Sequence, residues 1–245
     1  GNSFNDILNG PVFIINLDRC QSRLNTTMQR VIQAGFKNPV RFKGVDAMDP
    51  DPNTLPEAWA AHGSPQFDRS DHEFCETYKG KQGCCISWLN LLKHTIDNEI
   101  PYFVGFEDDV MFHESFSELA PKYFEHTPSD YDIVYLGSQL EVRTNHNIVQ
   151  MPAFCTNALL ITLEGAKKIY HYLTQCPAGI RTIDCMLIDA QKRMLFEPTY
   201  RPFVWYIWNA TMFPSRLYST SSKWAKRNTG LVFQDDAFES EVRPW

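Results

Sequence analysis

The chain has 245 residues, 43% hydrophobic and 21% charged, a profile that excludes disordered and fibrous classes and fits one sizeable globular domain. Its 23 Lys and Arg against 29 Asp and Glu give a net charge of −6 with no basic run, which argues against nucleic acid as a partner. The longest apolar run, around Cys155 to Ile161, is too short for a transmembrane segment.

The first element predicted is a strand at Val12-Phe13-Ile14-Ile15, leading through Asn16-Leu17-Asp18-Arg19 into a helix with Leu24, Met28, Val31 and Ile32 on one face and Gly35 as its stop. Strand, polar turn and amphipathic helix open a βαβ unit. Val40 to Val45 reads as a second strand, and the proline-containing Asp49 to Gly63 as a loop. Cys85, Trp88, Leu89, Leu92 and Ile96 have helical spacing, and Pro101 separates that helix from a strand at Tyr102 to Phe106. Ser115 and Glu118 are placed as a capping box for a short helix through Phe124. Strands at Asp132 to Leu136 and Cys155 to Thr162 follow. Thr162 is positioned to cap a helix through Ala166, Ile169 and Leu173, and another helix starts near Thr182 with Asp184, Leu187 and Ile188. Strands alternating with helices predict an α/β fold with a mainly parallel sheet, as one domain over residues 1–215. Residues 216–245, rich in Ser, Lys and Arg and then acidic, read as a tail that packs on the domain or is partly disordered.

Seven scattered cysteines with no CxxC pair suit reduced thiols better than a disulfide framework or a zinc site. No leader pattern is visible at the N-terminus, and a cytoplasmic location is the expectation. Asn25-Thr26-Thr27 and Asn209-Ala210-Thr211 match the glycosylation triplet, a pattern that also arises by chance.

Parallel α/β sheets bind ligands at the carboxyl ends of their strands. Three such ends carry polar groups here: Asn16 to Arg23, Asp46, and Glu107-Asp108-Asp109. Strand alternation places Glu107 and Asp109 on one side and Asp108 on the other. Two adjacent carboxylates that also face phosphate oxygens are a setting magnesium or manganese prefers. Consecutive acids after a strand also occur as solvated turns or helix caps. Arg19 and Arg23 also read as surface cations one turn apart, and Asn16 as a turn cap.

Taken together, the blocks resemble glycosyltransferase family 25, the group of lipopolysaccharide and collagen galactosyl- and glucosyltransferases. The resemblance rests on Phe13 to Arg19 with Arg23, Gly83 to Trp88, Phe106 to Val110, Asp132 to Gly137 and Glu164 to Lys168, in that order, over about Val12 to Asp189. It implies a GT-A fold, a UDP-sugar donor, Mn2+ or Mg2+, and transfer of galactose, glucose or xylose with inversion to a hydroxyl of a glycan or glycoprotein. In that picture Asn16, Arg19 and Arg23 line the nucleotide end and Asp46 approaches the uridine or ribose. Ser87 lies close to the donor sugar, Glu107 faces the ribose, Asp108 is one of the cofactor-binding residues, Asp109 ligates the metal, and Asp184 is the base. As an N-terminal helix acid, Asp184 also has a purely structural reading.

The chain departs from the family pattern in two places. Trp88 stands where a histidine usually follows the serine, and no histidine follows His171 to serve as a C-terminal metal ligand; Asp235 or Asp236 is the available substitute. Two other readings compete: a metal-dependent phosphohydrolase or nucleotidyltransferase, and a non-catalytic carbohydrate-binding module whose Trp59, Trp205, Tyr206 and Trp208 stack on sugars. No P-loop, GxSxG elbow or HExxH helix is present.

Overall fold

A computed structural model describes residues 2–46, 72–140, 142, 144–176, 180, 182–210 and 228–235. The expected loop at Asp49 to Gly63, together with Trp59 and Asp236, lies outside them. Helices α1 (Phe4–Asn9), α2 (Gln21–Gln33), α3 (His72–Asp97), α4 (Phe116–His126), α5 (Leu163–Thr174) and α6 (Ile183–Phe196) enclose one eight-stranded sheet. Its path is β2 (Pro39–Lys43), β1 (Val12–Asn16), β3 (Tyr102–Glu107), β7 (Phe154–Thr162), β5 (Ile133–Gln139), β8 (Trp205–Trp208) and β6 (Ile148–Val149), with β9 (Asn228–Gly230) pairing the far end of β5. A two-strand ribbon joins β4 (Val110–Phe112) to β10 (Val232–Gln234).

The register fixes the directions. β1 pairs parallel with β2 and β3, and β5 with β8, while β7 runs antiparallel between β3 and β5. β1, β2, β3, β5 and β8 therefore all deliver their carboxyl ends to one edge. The expected α/β architecture is present, with β7, β6 and β9 reversed within it.

Both faces of the sheet are covered, which explains why its strands read as continuous apolar runs. One core packs Trp88, Leu89 and Leu92 of α3, Ile169 of α5 and Met186 of α6 against Phe103, Tyr135 and Leu159. The other packs Phe4 of α1, Val31 of α2 and Phe116 of α4 against Ile14, Phe106 and Trp208. Among the described residues no helix is long and apolar enough to cross a membrane.

Several local expectations are revised. α3 starts at His72, earlier than the apolar spacing showed, because its first turns are polar and contain Gly80 and Gly83. Thr162 caps α5, accepting a hydrogen bond from the Gly165 amide, as its position predicted. Ser115 forms no capping box, since its side chain accepts no cap bond and its own amide donates to His113 Nδ1. Ile32 points to solvent, at 54% exposure. Within the expected tail, residues 228–235 are strands β9 and β10, built into the fold. Trp205 and Trp208 are buried, and Tyr206 donates its hydroxyl to Asp130, so these three side chains serve the core and an edge rather than a sugar-stacking surface.

Candidate active site

The carboxyl ends of β1 and β3 adjoin, because Ile15 sits opposite Glu107 in the register. β3 ends at Glu107, and Asp108 and Asp109 form the turn into β4. Strand alternation therefore stops before it reaches them. Glu107 goes to the α3 face, while Asp108 and Asp109 both meet Arg23 of α2, at 2.9 and 3.6 Å. This corrects the expectation that Asp108 would face away from Asp109.

On the α2 side hydrogen bonds and ion pairs hold both the carboxylates and the backbone of the turn. Asn16 is buried; its side-chain amide donates to Asp108 Oδ2 at 2.7 Å and to the Cys20 carbonyl at 2.9 Å. Arg41 of β2 donates to Asn16 Oδ1 at 2.9 Å and so fixes which way that amide points. Thr27 donates to the Asp108 carbonyl at 2.6 Å. Gln234 Nε2 donates to Asp109 Oδ2 at 3.0 Å, and the Asp235 amide donates to the Asp109 carbonyl at 2.6 Å. The second oxygen of Asp109, Oδ1, is buried and accepts no hydrogen bond from the described residues. Burial raises Asp109 to about 6, with Arg23 pulling the other way.

On the α3 side Glu107 is held by neutral donors. Its Oε2 accepts from Thr156 at 2.9 Å, from the Trp88 indole at 3.4 Å and from the Cys84 thiol at 3.9 Å. Burial first, and then the charge of Asp109, raise it to about 7. Trp88 reaches this position because residue 105 is glycine; a Cβ there would stand 2.7 Å from the indole ring. Trp88 is thus a wholly buried core residue with its one donor turned toward the acidic turn.

β7 is irregular beside this carboxylate. Its pairing with β5 slips between Ala158 and Phe154, and Cys155 adopts φ 72°, a left-handed conformation uncommon for a residue with a side chain. The bulge turns the Cys155 amide onto Asp184 Oδ2 at 3.2 Å, while Thr156 meets Glu107. Asp184, in the first turn of α6, also accepts from the Cys185 amide at 2.8 Å. Burial first, and then the charge of Glu107, hold the Cys84 thiol well above the usual range.

The remaining candidates lie at the β2 side. Arg19 pairs with Asp46 at 2.7 Å. Ser87, buried, donates to the Gly83 carbonyl at 2.7 Å and accepts from the Val45 amide at 2.8 Å, so its hydroxyl ties α3 to the segment carrying Asp46. Asp235 is paired with Arg30 at 2.7 Å, and the side chain that β10 brings to Asp109 is Gln234. Sequence reading missed Gln234, Arg41 and Thr156, all of which act through pairings distant in sequence.

Among the described residues no three His, Cys, Asp or Glu side chains converge as a metal-holding group. The chain does offer Asp109 Oδ1, a buried carboxylate oxygen with no hydrogen-bond partner. Magnesium and manganese commonly take one or two protein carboxylates and complete their shells with phosphate oxygens and water, so the residues present fit a cation bound together with a diphosphate.

Known proteins share sequence with this chain. A sequence model of glycosyltransferase family 25 (LPS biosynthesis protein) matches residues 9–157, more than half of the chain. Procollagen galactosyltransferase 2 of Mus musculus is 27% identical over 172 residues, covering 64% of this chain and 27% of that protein. The Homo sapiens protein of the same name is 24% identical over the same coverage. The chain thus spans about a quarter of the length of these curated relatives, 27%. The crystal structure of mouse xyloside xylosyltransferase 1 in its apo form aligns at a TM-score of 0.43 and 10% identity, covering 82% of this chain and 85% of that one.

Proposed function

This chain belongs to glycosyltransferase family 25, and on that premise we propose that it transfers galactose, or a related hexose or pentose, from a UDP-sugar to a hydroxyl of a glycan or glycoprotein acceptor with inversion at the anomeric carbon. Galactose comes first because the curated relatives named above are galactosyltransferases. The observation that carries the reading is the buried, unengaged Oδ1 of Asp109 beside Arg23, at the carboxyl edge of the sheet. A divalent cation held by Asp109 would act as a Lewis acid for the charge that develops on the leaving UDP.

The chain's own residues do the positioning. Arg41 orients Asn16, Asn16 and Arg23 hold Asp108, and that ordered turn fixes where Asp109 presents its oxygen. Glu107 has Oε2 anchored by three donors, and its Oε1 is available to accept from a hydroxyl of the donor. Asp184 has one backbone donor on each oxygen and lone pairs to spare for an acceptor hydroxyl. In the transfer, the acceptor oxygen attacks the anomeric carbon, its proton passes to Asp184, and the bond from that carbon to the phosphate oxygen breaks with the electrons leaving on UDP.

The test is a UDP-release assay over a panel of UDP-sugars with Mn2+. Release from one or more donors, abolished by EDTA, is the expected result. Binding of no UDP-sugar in calorimetry with Mn2+ present would rule the reading out.

A further inference from the structure

Asp109 is gripped by a segment more than a hundred residues away in the chain. β10 pairs antiparallel with β4, setting Gln234 opposite Val110, and its next residue places a backbone N–H on the Asp109 carbonyl. Two features hold this strand against the turn. Arg30 of α2 binds the Asp235 carboxylate at 2.7 Å and the Val110 carbonyl at 3.2 Å, joining the two strands at their ends. Residue 137 is glycine, and a Cβ there would run into the Val232 carbonyl, so β10 lies in direct backbone contact with β5.

We propose that Gln234 is a positioning residue for Asp109, a role that rests on the metal-assisted reading above. An ionised carboxylate has two equivalent oxygens, and a rotation about its last bond exchanges them. Gln234 donates to Oδ2, and Arg23 approaches that same oxygen at 3.6 Å. With Oδ2 engaged on two sides, the carboxylate is fixed and Oδ1 is the oxygen left for a cation. Gln234 is exposed where it leaves the strand, so it is replaceable without disturbing the core. The C-terminal strand thus supplies a donor that selects the metal-facing oxygen of Asp109, in place of a ligand.

The experiment titrates Mn2+ into the full chain with UDP present, follows free Mn2+ by electron paramagnetic resonance, and records thermal melting in parallel. Q234M keeps the length of the side chain and removes the donor, and Q234N keeps the amide and shortens its reach. Both are expected to bind Mn2+ about tenfold more weakly, the lower end for one lost hydrogen bond to a charged group. UDP affinity without metal is expected to stay unchanged. Wild-type Mn2+ affinity in both variants overturns the proposal. So does a loss of Mn2+ affinity accompanied by a melting-temperature drop above roughly 5 °C, which assigns Gln234 to strand anchoring. A wild-type protein that binds no Mn2+ with UDP overturns the metal reading beneath it, a failure distinct from that of Gln234.

Discussion

The two sides of the acidic turn solve the same electrostatic problem differently. On the α2 side Asp108 and Asp109 share one guanidinium and a buried amide. On the α3 side Glu107 has an indole, a hydroxyl and a thiol, all neutral. A buried carboxylate needs either a cation or several donors. The first arrangement fixes negative charge in place, and the second leaves Glu107 raised to about 7, close to losing its charge in neutral solution. Among the described residues, Asp108, Asp109 and Glu107 together carry more negative charge than Arg23 alone neutralises. That surplus is what a cation accompanying a diphosphate would offset.

Substitutions on the two sides should separate these roles. The largest effect is expected for D109N, where turnover falls by about a hundredfold or more through loss of charge stabilisation in the transition state, with the fold intact by circular dichroism. Unaltered turnover removes Asp109 from the site. D184N is expected to keep UDP-sugar affinity in calorimetry and to lose transfer; equal loss of both assigns Asp184 to the bulge alone. R23M strands the buried carboxylates and should cost about 3 kcal/mol in chemical denaturation, with part recovered in R23M/D108N. W88F keeps a ring beside Gly105 and deletes one donor to Glu107, for a loss near 1 kcal/mol.

The metal-free protein also carries a pH signature. Asp109 and Glu107 rise from their ordinary values of 3.8 and 4.5 to about 6 and about 7 on folding. The folded chain therefore holds protons that the unfolded chain has released. Stability contributed by this difference is complete below about pH 4 and is lost as pH rises through 6 and 7. Melting temperature without metal should fall across that window, and Mn2+ with UDP should restore it. E107Q should flatten the curve, and a slope unchanged in E107Q would show that other groups cause it.

What the sequence made legible follows from range. The strands ending in Asn16 and Glu107 were visible because a buried parallel strand is a short apolar run and its polar end is abrupt. The placement of Asp108 was misjudged because alternation holds only inside a strand, and the chain turns directly after Glu107. Gln234, Arg41 and Thr156 carried no local signal: each is an ordinary polar residue whose meaning comes from the partner that the sheet sets beside it. The bulge at Cys155 was equally hidden, since no glycine marks its left-handed backbone. Residues 228–235 looked like tail because their two strands are three residues each, too short for a periodic pattern.

The most direct measurement is calorimetry of UDP-galactose against the wild-type chain and D109N, each with Mn2+ and with EDTA. Mn2+ is expected to strengthen wild-type binding at least about tenfold and to make no difference to D109N. Equal wild-type affinity with Mn2+ and with EDTA, or a metal effect that survives in D109N, would contradict that expectation.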